Sequence, residues 1–131
     1  MIAPGQGAAG AGVTVPISEA EYQQLVAVSF RLVTSAVVAT RRPAVAVTDG
    51  SGVAIVTVSS SITSAASLTT DYSFAVGVGA STGASGAAVS ESLPALPLDG
   101  GDSIVISVAA LDVGDQISRV RVTVIQQPVR E

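Results

Sequence analysis

The strongest constraint on what this chain can fold into is a two-residue rhythm. From Val13 onward, short runs of Val, Ile, Leu, Ser and Thr recur about every 8 to 12 residues, each closed by Gly, Asp or Pro. Side chains of an extended chain alternate between faces, so a run apolar at every second position makes a strand with one buried face. In LVAVSFRLV, Val26, Val28, Phe30 and Leu32 fall on one side, with Ala27, Ser29 and Arg31 on the other. PAVAVTDGSGVAIVTVS reads as two strands joined at Asp49-Gly50-Ser51-Gly52, residues that tolerate the positive φ of a tight turn. In SLTTDYSFAV the alternation sends Leu68, Thr70, Tyr72, Phe74 and Val76 inward.

Further on, SESLPALPL is interrupted by proline and belongs at a sheet edge. SIVISVAAL puts Ile104, Ile106 and Val108 on one face. In ISRVRVTVI, Val120, Val122 and Val124 point inward while Arg119, Arg121 and Thr123 point outward. With Val13–Ile17 this makes about eight strands, the number of a two-sheet sandwich of jelly-roll type. The expected fold is therefore an all-β, antiparallel, jelly-roll-like β-sandwich over residues 13–131. Residues 18–24 fit either a short helix, with Ser18 and Glu21 as a capping box, or an irregular crossing.

Residues 1–12, MIAPGQGAAGAG, lack this rhythm and read as an extended Gly/Ala-rich arm. Gly5-Gln6-Gly7-Ala8-Ala9-Gly10 matches the G-x-G-x-x-G spelling of a dinucleotide loop. That loop works only between a buried strand and a helix N-terminus, which binds the pyrophosphate. Four residues precede the motif here and β-like Val13-Thr14-Val15-Pro16 follows it, so no cofactor site is expected. An unheld arm buries too little to offset its chain entropy, so an ordered one needs a surface to lie on.

The side-chain inventory narrows function. The 131 residues include no Cys, His or Lys, which removes thiolate metal sites and the usual general bases and activated nucleophiles. Asp49, Asp99, Asp102, Asp112 and Asp115 all stand in Gly-containing turns, where Asp serves side-chain to backbone bonds. The spacings Asp99/Asp102 and Asp112/Asp115 admit a shared Ca²⁺ only without an EF-hand pattern to support it, so no metal is expected. No enzyme activity is expected either. The formal net charge of −4 argues against nucleic acid. Mean hydropathy is high, +0.61, yet no apolar run reaches the roughly 18 residues of a membrane span. The N-terminus carries neither a basic region nor an apolar stretch of signal type, so no export signal is expected. Aromatics number four, Tyr22, Phe30, Tyr72 and Phe74, and at least three read as core, which weakens a stacking platform for sugars.

All six basic residues are arginine. Arg31, Arg119 and Arg121 alternate with core positions and lie on an outer face, either solvated or paired with carboxylates of a neighbouring subunit. Arg41-Arg42-Pro43 opens a strand and has the same two readings. The residues expected to meet a partner are Met1, Ile2, Pro4, Gly5, Gly7 and Gly10 of the arm, with Arg41, Arg42, Arg119 and Arg121.

Three stretches, LVAVSFRLVTSAVVATRRPAVAVTDGSG, YSFAVGVGAS and LPLDGGDSIVISVAALDVGDQISRVRVTV, together resemble small all-β virion proteins of tailed bacteriophages, especially those of high-GC actinobacterial hosts. The resemblance spans about Leu25 to Ile125. It implies a structural protein of the virion, a head decoration or cement protein. Made in the host cytoplasm, it would bind the major capsid protein on the capsid surface as a homo-oligomer, a trimer among the possibilities, and stabilise the shell by bridging neighbouring subunits. The alternative is a carbohydrate- or host-surface-binding module of a head fibre, collar or tail. No catalytic or cofactor residue transfers with the resemblance.

Overall fold

The structure, a computed structural model, describes residues 2–5, 10–17, 22–77, 88–98 and 100–127. Its elements are β1 (Ile2–Gly5), β2 (Val13–Pro16), β3 (Tyr22–Val33), β4 (Arg42–Thr48), β5 (Ala54–Ser59), β6 (Thr69–Val76), β7 (Ala88–Leu93), β8 (Leu96–Leu98), β9 (Ser103–Ala109) and β10 (Gln116–Gln127). They form two sheets. One runs β1-β10-β3-β6-β7, with β8 also on β3, and the other runs β2-β9-β4-β5. Every pairing is antiparallel except β6 with β7. Among the described residues there is no helix, and none long and apolar enough to cross a membrane.

The two sheets share one core, as alternation dictates. Val28, Phe30 and Leu32 of β3 and Tyr72 and Phe74 of β6 face Val45 and Val47 of β4 and Ile104 and Ile106 of β9, all buried. Phe30 stacks between Tyr72 and Phe74, with ring centroids 5.6 and 6.1 Å apart. Each such contact adds about 0.5–1.5 kcal/mol beyond area burial. The Tyr72 hydroxyl, carried inside with its ring, meets the Ser64 hydroxyl at 2.8 Å and donates to the Ile62 carbonyl.

The β4–β5 turn forms as expected. Asp49 Oδ1 accepts the Ser51 and Val53 N–H groups, and Gly52 supplies a φ of 82° that a side chain would strain. The proline-bearing stretch also lies as expected, with β7 at the end of its sheet.

Four features depart from the alternation. In β3, Leu25 is buried and Val26 is only half-buried, because the β10 register slips between Thr123↔Ala27 and Val124↔Leu25 and leaves Val26 unmatched. In β10, Ser118 pairs Arg31 and Arg121 pairs Ser29, so Arg119 and Val120 together oppose Phe30. This is a β-bulge, with Arg119 at a φ of 53°. Of the segment read as helix or crossing, Tyr22–Gln24 belongs to β3, and 18–21 lie outside the described residues.

The fourth departure is at the N-terminus. Expected as an arm on a partner, the chain at Ile2–Gly5 instead pairs with β10 of its own sheet, Ile2 opposite Val122 and Gly5 opposite Val120. Gly10, the last glycine of the opening motif, donates its N–H to the Asp115 carbonyl at 2.7 Å. A Cβ there would stand 2.7 Å from Val113 Cα, and one at Gly12 would stand 2.6 Å from the Ile106 carbonyl oxygen. The low bulk of this tract serves close approach to the chain's own β9–β10 region.

Candidate functional site

The residues expected to meet a partner scatter. Ile2, Pro4 and Gly5 lie in β1 at a sheet edge, Gly10 packs on the β9–β10 turn, and Met1 and Gly7 lie outside the described residues. Arg42 is exposed and donates to the Ser60 carbonyl. Arg41 corrects its reading: it is fully buried, with 0% exposure, and faces no partner.

Arg41 is the centre of a polar node at one end of the sandwich. Its Nε and Nη2 grip both oxygens of Asp115, also 0% exposed, at 2.9 and 3.2 Å, and Nη1 donates to the Ala39 carbonyl. Asp115 also accepts the N–H groups of Ser35 and Asp112, at 2.8 and 2.9 Å. Ser35 Oγ donates to Asp112 Oδ2, which takes the Gly114 N–H as well. Asp112 thus does the turn chemistry expected of it, whereas Asp115 ties the β9–β10 turn to the 34–41 loop. Burial alone would raise the Asp115 carboxyl. The bonds from Arg41, Ser35 and Asp112 outweigh it and hold the group below the ordinary carboxylate range.

The loops so pinned carry apolar side chains into solvent. Val38 is 92% exposed, Val37 53% and Val113, in the opposing turn, 83%. Single exposed valines need no explanation. Here three stand on two short loops that a buried ion pair ties together.

The second feature is a recess of about 360 Å³ on the outer face of the larger sheet. Register builds it. One row across β10, β3, β6 and β7 reads Arg121, Ser29, Ser73, Ser90, and the next across β3, β6 and β7 reads Arg31, Asp71, Ala88. Short side chains make the floor, and the bulge sets Arg119 beside the second row. Arg31 Nε and Nη2 grip Asp71 at 2.8 and 3.2 Å, and these bonds hold the Asp71 carboxyl below its usual range, with Arg119 adding to the effect. Among the described residues, no ion pair involves Arg119 or Arg121. Three guanidinium groups against one carboxylate leave two surplus positive charges here, in a chain of net charge −4.

Sequence reasoning found Arg31, Arg119 and Arg121 on one outer face but not the recess, which needs the β6–β7 pairing. It also missed Glu91, which is buried on β7 and accepts the N–H and hydroxyl of Ser61 at 3.1 and 2.8 Å. Among the described residues, no three carboxylates come together as a metal site. Comparison with protein-family models, curated proteins and solved structures finds no match to the chain.

Proposed function

We propose that this chain is a non-enzymatic structural protein of a bacteriophage particle, a decoration protein that binds the outer capsid surface and bridges neighbouring subunits. The observation that carries the reading is the pinned loop pair. Burying an ion pair costs several kcal/mol of desolvation that its own attraction roughly offsets, so its use here is to fix geometry rather than to add stability. What it fixes is a tip exposing Val37, Val38 and Val113. An apolar surface ordered before contact loses little entropy on docking, which suits a protein that must seat many times on one lattice.

The fold belongs to the same proposal. With β7 and β8 set aside, neighbouring strands form nested pairs, β1·β10, β2·β9, β3·β6 and β4·β5. This is one long two-stranded ribbon wrapped so that alternate pairs fall in opposite sheets, the order of a jelly roll. The fold class is frequent among capsid-associated domains.

Copies of the chain meet through β5. The other sheet edges are blunted: β1 contains Pro4, β2 is four residues long and ends at Pro16, and β7 carries an inward Glu91. β5, AIVTVS, has neither charge nor proline, and Ile55 on it is 51% exposed. Such an edge is open to strand addition, and a neutral strand meets its own copy without repulsion.

The test is particle occupancy. Val38→Asp with Val113→Asp leaves the buried node intact, so the variant should fold as the parent does but fail to co-sediment with capsids. Full occupancy by the folded variant would refute the reading.

A further inference from the structure

We propose that the recess on the outer face of the larger sheet binds an acidic saccharide, a sugar carboxylate held by Arg119 and Arg121 with its hydroxyls over the serine row. Four observations converge. The recess, about 360 Å³, falls within the range of small-ligand sites and is large enough for one sugar ring. It carries surplus positive charge where the chain as a whole is negative. Arg121, Ser29, Ser73 and Ser90 stand in register across four strands, so a guanidinium fork and a line of hydroxyls face the same ligand from rigid elements.

The fourth observation is strain. Arg119 holds a φ of 53°, a left-handed conformation that an unbranched glycine adopts freely and an arginine does not. A glycine would suit the bulge better for folding alone. The bulge re-aims the chain so that Arg119 stands beside the row begun by Arg31 and Asp71, and strain kept at such a position points to use. Asp71 already holds Arg31 and sets the far boundary, leaving the other two guanidinium groups for the ligand.

A carboxylate on a neighbouring protein would satisfy the same arginines. The shape favours the sugar: the recess is concave, about one ring in size and floored by serines, which suits a small polyhydroxylated ligand better than the broad flat patch of a protein contact. The inference is independent of capsid binding, which uses the opposed loops.

The experiment is titration of the full chain with a galacturonate oligosaccharide, a neutral glucan of equal length and a polyglutamate peptide, followed by calorimetry. The uronate should bind, more weakly as salt rises, and the glucan should not. Arg119→Gly should weaken uronate binding by at least about tenfold, the loss of one charge-assisted contact, while raising the melting temperature. Arg121→Ala should weaken it likewise without the thermal gain. Val38→Asp should bind uronate as the parent does, which separates this site from the capsid tip. Absence of uronate binding, or binding untouched by both arginine changes, overturns the proposal. Equal or tighter binding of polyglutamate overturns it in favour of an acidic protein segment.

Discussion

Arg41 and Arg31 show how context decides what an arginine–aspartate pair is worth. Both grip a carboxylate through Nε and Nη2, yet Arg41 and Asp115 are wholly buried while the Arg31 and Asp71 side chains are 29% and 53% exposed. An exposed pair contributes about 0–1 kcal/mol. Removing one partner of a buried pair costs about 3–5 kcal/mol, because the charge left behind has lost both water and its counter-ion. Arg41→Met should therefore lower the unfolding free energy measured in urea by that amount, and Arg31→Met by under about 1 kcal/mol. Adding Asp115→Asn to Arg41→Met should restore part of the loss, since a neutral amide oxygen still accepts the Ser35 or Asp112 N–H. Equal costs for the two single changes would show that the node carries no special burden. Arg41 shares the parity of the inward-facing Pro43, Val45 and Val47 while Arg42 falls on the outer face, but a charged residue at an inward position does not by itself read as core. The burial of Arg41 is settled by Asp115, 74 residues away.

At the scale of elements, alternation was legible wherever a strand keeps an unbroken ladder. Ile104, Ile106 and Val108 in β9, and Tyr72 and Phe74 in β6, are buried as their spacing requires. It failed at slips of register, which belong to pairs of strands rather than to either one: Val26 lost its place to Leu25, and Ile117 and Val120 are buried three apart around Arg119. β1 was illegible for a related reason. IAPG has no rhythm of its own, and it is a strand because β10 offers an unpaired edge. The open edge of β5 yields a prediction of its own. The parent protein should self-associate as concentration rises, and Ile55→Lys, a charge on the edge, should abolish this without lowering the melting temperature by more than a degree or two. Sedimentation velocity checks it, and a parent that stays monomeric to millimolar concentration would remove β5 as the contact between copies.

For the whole molecule, what titrates sets where the fold is stable. Among the described residues, three carboxyls sit below the ordinary value of 3.8: Asp71 through its bonds from Arg31, Asp112 through the Gly114 N–H and the Ser35 hydroxyl, and Asp115 through Arg41, Ser35 and Asp112 against the opposing effect of burial. The unfolded chain thus binds more protons than the native one as pH falls through that value. Their contribution is complete above it and is lost progressively below, as pH drops through the native values. At the other end, burial holds the Tyr72 phenol above 10.0, so its contribution is complete below that pH and is lost as pH rises past it. Between the two limits the chain has no His, Cys or Lys to change charge. Stability from urea unfolding should therefore form a plateau from about pH 5 to 9, falling on both sides. In the Arg41→Met, Asp115→Asn double variant the acid limb should be shallower, because the most enclosed of the three carboxylates is gone. A step in stability centred between pH 6 and 8 would overturn this assignment, because neither the three lowered carboxyls nor the raised phenol changes charge there.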